Sequence, residues 1–136
     1  MTLTPEAAAA FARDWLAAWN AHDLDRILAH YADKVHVTSP VAARLTGSAE
    51  VHGKAALRAY FAAGLARYPD LHFDFDALFL GDDSLVLGYV NQAGVRAAEF
   101  MRFDGDGRVV RMIAHYQVAG GSSGTQTSLA PQLRQT

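Results

Sequence analysis

The second half of this chain alternates between apolar and polar side chains in four short segments. In the first of them, 71–79, an apolar residue occupies every second position. Three further segments, 84–91, 95–103 and 108–118, are separated by short stretches rich in Gly, Asp and Asn. Alternation with a period of two predicts half-buried strands, and stretches of that composition predict tight turns. The pattern predicts an antiparallel meander of four strands, whose apolar face must be covered by the first half of the chain.

The first half begins with two helices. Thr4 suits an N-cap, Pro5 the first helical position, and Glu6 the positive end of the helix dipole. Apolar residues then recur at helical spacing until residues 20–23, Asn-Ala-His-Asp, which predict a break and a new cap. A short second helix follows over 24–31, and we expect the two helices to pack together as a hairpin.

A strand, a loop and a third helix complete the first half. Residues 35–38 alternate and predict a strand that ends at 39–40, Ser-Pro. The segment 41–52 has the composition of a loop. Gly53 opens a third helix, which ends at 68–70, Tyr-Pro-Asp, because proline cannot continue a helix. This order of elements predicts an α+β fold in which a curved, mainly antiparallel sheet covers three N-terminal helices.

Composition excludes several classes of protein. Of the 136 residues, 51% are hydrophobic and 19% charged, and the formal net charge is −2, which argues against disordered and nucleic-acid-binding chains. The absence of cysteine excludes disulfides and thiolate metal sites. Neither a signal-peptide pattern nor a membrane span is present, so we expect a cytoplasmic protein without a membrane partner. We expect one domain, 1–118, followed by a tail, 119–136, that is flexible or becomes ordered against a partner.

Several short motifs, in this order, resemble the nuclear transport factor 2-like superfamily and look most similar to its SnoaL-like branch. They lie at residues 19–24, 31–33, 53–57, 100–104 and 107–110. The resemblance covers about residues 5–118. It implies a cone-shaped fold with a pocket for a small apolar, polyketide- or steroid-like molecule. The superfamily includes polyketide cyclases, ketosteroid isomerases and hydrolases, together with members that only bind or assemble.

The ketosteroid isomerase pattern of that superfamily can be compared with this chain residue by residue. Its catalytic Asp-Pro falls on Ser39-Pro40, and Ser39 cannot act as a base without a partner. Its tyrosine on the first helix falls on Trp15, whose indole donates one hydrogen bond. Its second oxyanion donor, an aspartic acid, falls on Glu99, which could donate if it is buried and neutral. One of the three positions is preserved in kind, so steroid isomerisation is not expected.

The same superposition implies which side chains line the pocket. The expected lining is mostly aromatic, as in ligand pockets generally: Trp15, Trp19, Tyr31, Ser39, Tyr60, Phe61, Tyr89, Asn91, Met101, Met112 and Tyr116. Tyr89 and Asn91 could orient a ligand carbonyl. The alternative is that the aromatic residues simply fill the core and that Asn91 starts a turn.

Glu99 is the strongest candidate for an acid/base group. It stands between Ala98 and Phe100 in an apolar strand, where burial would raise its pKa and leave a proton available near neutral pH. The alternative is an edge-strand glutamate that is exposed to water or paired with Arg96 or Arg102.

His36 is a second catalytic candidate, because imidazole titrates near physiological pH. It shares a face of the first strand with Thr38, opposite Val37 and Ser39. The alternative is that this lone strand histidine lies at the surface or in an interface.

No metal or cofactor is expected from the sequence. Residues 104–107, Asp-Gly-Asp-Gly, resemble the start of a calcium loop but lack the later glutamate and the flanking helices, so they predict a hairpin turn. The six histidines include no pair at the spacing of metal ligands on one helix face.

Two functions remain open. The first is a cofactor-free isomerase, cyclase or hydratase that acts on a small apolar ligand through Glu99. The second is a non-catalytic module for ligand binding or dimerisation. Ile113, Val109 and Phe100 are expected on the outer sheet face, and such a face favours a homodimer.

Overall fold

The structure, a computed structural model, describes residues 2–119. Within them the chain forms four helices: α1 Pro5–Asn20, α2 Leu24–Leu28, α3 Pro40–Thr46 and α4 Lys54–Arg67. It also forms six strands: β1 Tyr31–Thr38, β2 Glu50–His52, β3 Asp74–Leu80, β4 Ser84–Val90, β5 Arg96–Phe103 and β6 Val109–Tyr116. None of these helices is long and apolar enough to cross a membrane. The predicted tail, 119–136, lies outside the described residues except for its first residue.

The strands of the described chain form one curved, mixed sheet in the order β2-β1-β6-β5-β4-β3. β1 and β6 run parallel, and the other neighbouring pairs run antiparallel. The predicted meander corresponds to β3–β6, and β1 joins it beside the last strand. The predicted α+β fold with a mainly antiparallel sheet is confirmed, with one more helix than expected.

Helix α1 begins where the sequence predicts. The Thr4 hydroxyl oxygen accepts a hydrogen bond from a backbone N–H of the first turn at 3.1 Å, and Pro5 follows at the start of the helix. Because its apolar residues recur on one side, α1 buries Trp15 and Trp19 in the core between the helices and the sheet. These two indoles therefore face the inner side of the sheet, where the candidate functional site lies.

The prediction of a loop over 41–52 is wrong. Ser39 caps α3, because its Oγ accepts hydrogen bonds from two N–H groups of the first turn at 3.1 and 3.4 Å, and Pro40 follows as the first helical residue. Gly47, with a φ of 88°, ends this helix, and the chain returns as the edge strand β2. Ser-Pro ends a strand here, as predicted, but the same pair is also a helix start.

The predicted apolar face over 71–79 is wrong in part. The register of β3 against β4 shifts between Phe75 and Ala77, so that Asp76 is an extra residue and inverts the alternation beyond it. Leu78 packs against the core, whereas Phe79 lies on the outer face and is 64% exposed. A one-residue bulge leaves no mark in the apolar pattern, so alternation alone cannot predict it.

Candidate functional site

A cavity with a volume of about 60 Å³ lies between the helices and the inner face of the sheet. Its lining combines aromatic and aliphatic side chains with three kinds of polar group, namely hydroxyl, indole and carboxyl. The lining residues are Trp15, Trp19, Ser39, Val41, Tyr60, Phe61, Gly64, Tyr68, Leu71, Phe73, Tyr89, Glu99, Met112 and Ala114. The cavity is therefore small and mainly apolar, with few polar groups.

The structure brings Glu99 together with most of the residues that the sequence placed in the pocket. Those that line the cavity are Trp15, Trp19, Ser39, Tyr60, Phe61, Tyr89 and Met112. They come from helices α1 and α4, from the end of β1 and from strands β4 and β6. The fold thus brings side chains from elements that are far apart in sequence to the same cavity.

Two of the predicted pocket residues are buried behind the lining. Tyr31 accepts a hydrogen bond from Trp15 Nε1 at 2.9 Å and donates one to Met112 Sδ at 3.4 Å. It therefore fixes two lining side chains from behind. Met101 is fully buried in the core.

Two other predicted pocket residues lie elsewhere. The Oδ1 atom of Asn91 accepts hydrogen bonds from Ala93 N at 2.9 Å and Val95 N at 3.0 Å, so its side chain holds the turn after β4, as the alternative interpretation stated. Tyr116 lines a different depression, beside Gln117. Neither Asn91 nor Tyr116 is among the residues that line the cavity, and Tyr116 packs against the core.

His36, the second catalytic candidate, does not line this cavity and lies on the opposite face of the sheet from Glu99. Val37 pairs with Met112 and is fully buried on the inner side, so the alternation of β1 places His36 on the outer face. There its Nε2 lies 2.5 Å from Glu50 Oε1. The alternative, a surface histidine, describes its position.

Glu99 is buried inside the sheet. Strand β5 lies between β4 and β6, and the Glu99 side chain points inward and is only 4% exposed. This excludes the alternative of an edge-strand glutamate. Arg96, one of its expected partners, pairs instead with Asp76 at 2.9 Å.

The two carboxyl oxygens of Glu99 differ. Oε2 accepts a hydrogen bond from the Tyr89 hydroxyl at 2.7 Å, whereas Oε1 has no partner among the described residues. Burial raises the pKa of Glu99 to about 7, although the hydrogen bond from Tyr89 acts in the opposite direction. Both the acid and the base form are therefore populated near neutral pH.

Tyr60 offers a hydrogen-bond donor to the same cavity. Its hydroxyl lies 3.0 Å from Ser39 Oγ, which already accepts the two N–H groups that begin α3. Either hydroxyl can donate this hydrogen bond, and when Ser39 donates it the Tyr60 proton is left for a ligand. Burial raises the pKa of the Tyr60 hydroxyl, which therefore stays protonated at neutral pH.

Trp19 is a second donor on the lining. Its Nε1 is buried and has no hydrogen-bond acceptor among the described residues. Burial raises the pKa of the nearby Tyr31 hydroxyl, and the Trp15 and Trp19 indoles lower it. By the geometric criterion, however, Trp19 Nε1 donates no hydrogen bond to Tyr31. A buried N–H without an acceptor is costly and is satisfied when a polar ligand atom enters.

Sequence reasoning missed the lining that follows α4, which includes Leu71 and Phe73. The end of α1 holds this segment. The Asn20 side chain donates to the Phe73 carbonyl at 2.9 Å and accepts from the Phe73 N–H at 2.7 Å, and His22 Nε2 lies 2.8 Å from the Leu71 carbonyl. The Asn-Ala-His-Asp motif was interpreted only as a helix break, but its polar side chains were the available sign of this contact.

The lining does not form a metal site. Glu99 is its one carboxylate, and the described lining contains no histidine, aspartate, lysine or arginine. A single carboxylate among aromatic groups lacks the several ligands that a bound metal ion requires.

Helices over one face of a curved, mixed sheet, with a cavity between the two layers, define the nuclear transport factor 2-like class of α+β domains. The chain matches the model of the SnoaL-like domain over residues 12–122, and it therefore belongs to the SnoaL-like domain family. No curated protein matches it.

Solved structures agree with this assignment. A SnoaL-like protein of unknown function from Burkholderia thailandensis is 41% identical, with a TM-score of 0.82 over 86% of this chain and 99% of that one. A nuclear transport factor 2-like protein of unknown function from Burkholderia pseudomallei is 19% identical, with a TM-score of 0.64 over 81% and 90% of the two chains. A proposed ketosteroid isomerase from Kribbella flavida is 20% identical, with a TM-score of 0.69 over 94% and 93%. The last two likenesses concern the fold alone.

Proposed function

We propose that this protein catalyses proton transfer on a small, apolar carbonyl compound without a cofactor, with Glu99 as the acid/base group. The observation that carries the proposal is the state of Glu99. One of its carboxyl oxygens is held by Tyr89 while the other is unpartnered on the cavity lining, and its pKa is raised to about 7. A general acid/base works best when its pKa lies near the operating pH.

The groups around the cavity suffice for a proton shuttle. The Glu99 carboxylate removes a proton from the carbon next to the carbonyl, and the electron pair of that C–H bond moves to the carbonyl oxygen. The resulting enolate oxygen accepts hydrogen bonds from Trp19 and, when Ser39 donates to Tyr60, from the Tyr60 hydroxyl. The protonated Glu99 exchanges its proton with solvent and then delivers a proton, or a deuteron in deuterated buffer, to the same carbon or to a conjugated one. One carboxyl group serves both steps, so no second base is required.

The size of the cavity limits the ligand. A volume of about 60 Å³ is far below the roughly 300 Å³ at which pockets for drug-sized ligands begin. It has room for a few non-hydrogen atoms, which favours a compact ketone over a steroid or polyketide. A larger ligand would have to displace side chains at the partly exposed side of the lining, where Tyr68 and Phe73 lie.

The test measures exchange of the α-protons of cyclopentanone in deuterated buffer by proton NMR. With the wild-type protein we expect the catalysed rate to rise with pH through about 7 and then to level off, because the carboxylate is the base. A sample without protein gives the rate due to buffer alone. A rate equal to that of buffer at every pH, or a profile without an inflection near neutrality, would contradict proton transfer by Glu99.

The second candidate function is ligand binding without catalysis. It is favoured by Ser39, which stands where the isomerases carry their aspartate base and whose hydroxyl is occupied in capping α3. Saturable shifts in the protein NMR spectrum on adding cyclopentanone, without proton exchange, would favour this candidate.

We also propose a homodimer that forms through the outer face of the sheet. Phe100 and Ile113 are paired on this face in β5 and β6 and are half-buried, and Phe79 is 64% exposed at its β3 edge. The expectation that Val109 lies on this outer face is wrong. A register shift after Arg102 pairs it with Phe103, and it is fully buried. Apolar sheet faces of this kind are typical of interfaces between subunits.

We expect light scattering at micromolar concentration to give twice the mass of one chain. Ile113→Asp should give a monomer, because it places an unpaired charge in the centre of the face. Val118→Asp is the matched control, since Val118 is exposed beyond β6. A monomeric wild-type protein would exclude this dimer.

A further inference from the structure

Two histidines and a glutamate form a cluster on the outer face at the β2 edge of the sheet. His36 and His52 are directly opposite each other on the antiparallel strands β1 and β2, and Glu50 is two residues before His52. Backbone hydrogen bonds join the flanking pairs, from Gly53 N to the Val35 carbonyl and from Ser39 N to the Ala49 carbonyl. His36 and His52 therefore occupy a non-hydrogen-bonded position, where side chains across two strands approach most closely.

The side chains of this cluster already converge. The two imidazole rings are stacked, with centroids 4.2 Å apart and planes 16° apart. One ligand atom from each of His36, Glu50 and His52 lies within 4.8 Å of the other two. Ligands of one metal ion, at about 2.0–2.2 Å from it, are roughly 3–4 Å from one another. Small side-chain rotations would therefore bring all three atoms into one coordination sphere.

The surroundings orient the glutamate. Thr38 donates a hydrogen bond to Glu50 Oε1 at 2.9 Å and accepts one from Arg111 Nη2 at 2.9 Å. Glu50 Oε1 also lies 2.5 Å from His36 Nε2, so two side chains hold this carboxyl group in place. A hydrogen-bonded second layer of this kind commonly fixes metal ligands. The positive charge of Arg111 opposes a cation, so we expect modest affinity.

We propose that His36, Glu50 and His52 bind a divalent first-row transition-metal ion such as Zn²⁺ and so join the edge strand β2 to β1. Two imidazoles and one carboxylate suit zinc, nickel or copper, whereas calcium and magnesium prefer oxygen ligands alone. With three protein ligands, water would complete the coordination sphere. The site faces away from the cavity, so the inference does not depend on the proposed catalytic function.

The experiment is calorimetric titration of the full, untagged chain with ZnCl₂ at about pH 7.5, where competition from protons is small. We expect one equivalent of Zn²⁺ to bind with a Kd on the order of 10 µM. His36→Ala, His52→Ala and Glu50→Gln should each weaken binding by at least about tenfold, since even second-layer substitutions cost 10–100-fold. Zn²⁺ should also raise the melting temperature of the wild-type protein, because a ligand of the folded state stabilises it.

Two control variants distinguish this cluster from surface histidines in general. His72 forms a similar exposed pair with Asp74, at 3.0 Å, and His115 is exposed on the same outer face. His72→Ala and His115→Ala should leave Zn²⁺ binding unchanged. Circular dichroism and thermal melting without metal verify that each variant is folded. No saturable binding by the wild-type protein, or an unchanged affinity in folded His52→Ala, would overturn the proposal.

Discussion

Glu99→Gln is expected to lower the rate of catalysed ketone proton exchange by about 10²–10⁴-fold, which is the usual contribution of a general acid/base. Glutamine has nearly the same shape, and its carbonyl oxygen can still accept the hydrogen bond that Tyr89 donates at 2.7 Å. It cannot take up a proton from the substrate. The loss should therefore be largest above neutral pH, where the wild-type protein carries the carboxylate.

The matched control is Glu6→Gln, which removes a carboxylate from an exposed position in the first turn of α1. It should leave the exchange rate unchanged. Binding of cyclopentanone to Glu99→Gln, followed by NMR, separates a loss of chemistry from a loss of the pocket. An undiminished rate in folded Glu99→Gln would show that another group is the base.

The cavity suits this chemistry because its donors stay neutral while its acid titrates. Burial raises the pKa of Tyr60 and Tyr89, and for Tyr89 the charge of Glu99 adds to the effect, so both phenols keep their protons when Glu99 loses its own. Negative charge that moves from Glu99 to a substrate oxygen therefore stays close to hydrogen-bond donors. Aromatic rings surround these groups, and the Phe73 and Tyr89 centroids are 4.2 Å apart.

The periodicity of apolar residues in the sequence predicted which faces of the helices and strands are covered. The family resemblance placed Glu99 inward, alternation in β5 then placed Met101 on the same face, and helical spacing in α1 placed Trp15 and Trp19 on the covered side. Such positions are predictable because a buried face imposes one period on a whole element. The fold class follows from these periods, whereas the central acid of the candidate site came from the family resemblance together with the apolar neighbours of Glu99.

Two features of the structure could not be predicted from the sequence, namely a one-residue bulge in a strand and a side-chain cluster formed by the pairing of two strands. The bulge at Asp76 moves Phe79 to the outer face without changing the alternation of residue types. The cluster of His36, Glu50 and His52 cannot be predicted from ligand spacing along helices, and the segment that forms β2 has the composition of a loop. Ligands that meet across strands have no fixed separation in sequence, so only the pairing of β1 with β2 shows the cluster.

Glu99 is expected to lower the free energy of unfolding of the wild-type protein by about 3 kcal/mol as the pH rises from about 4.5 to about 7. Below this window Glu99 is protonated in both the folded and the unfolded chain. Within it the unfolded chain loses the proton at a pKa of about 4.5, while the folded chain keeps it up to about 7. Above it both states are ionised, and the folded state bears the cost of the buried charge. A raised folded-state pKa thus means stability that is present at low pH and lost on going to higher pH.

Comparison with Glu99→Gln isolates this effect of Glu99, because other carboxylates act in the opposite direction. Hydrogen bonds from Arg26 and His30 lower the pKa of Asp14, and those from His36 and Thr38 lower that of Glu50, so their contributions are lost as the pH falls. These effects cancel in the difference between the two proteins. Urea unfolding should give similar free energies near pH 4.5 and a variant more stable by about 3 kcal/mol near pH 8. A constant difference across this range would mean that Glu99 titrates as a solvated carboxyl, and the proposed proton shuttle would lose its base.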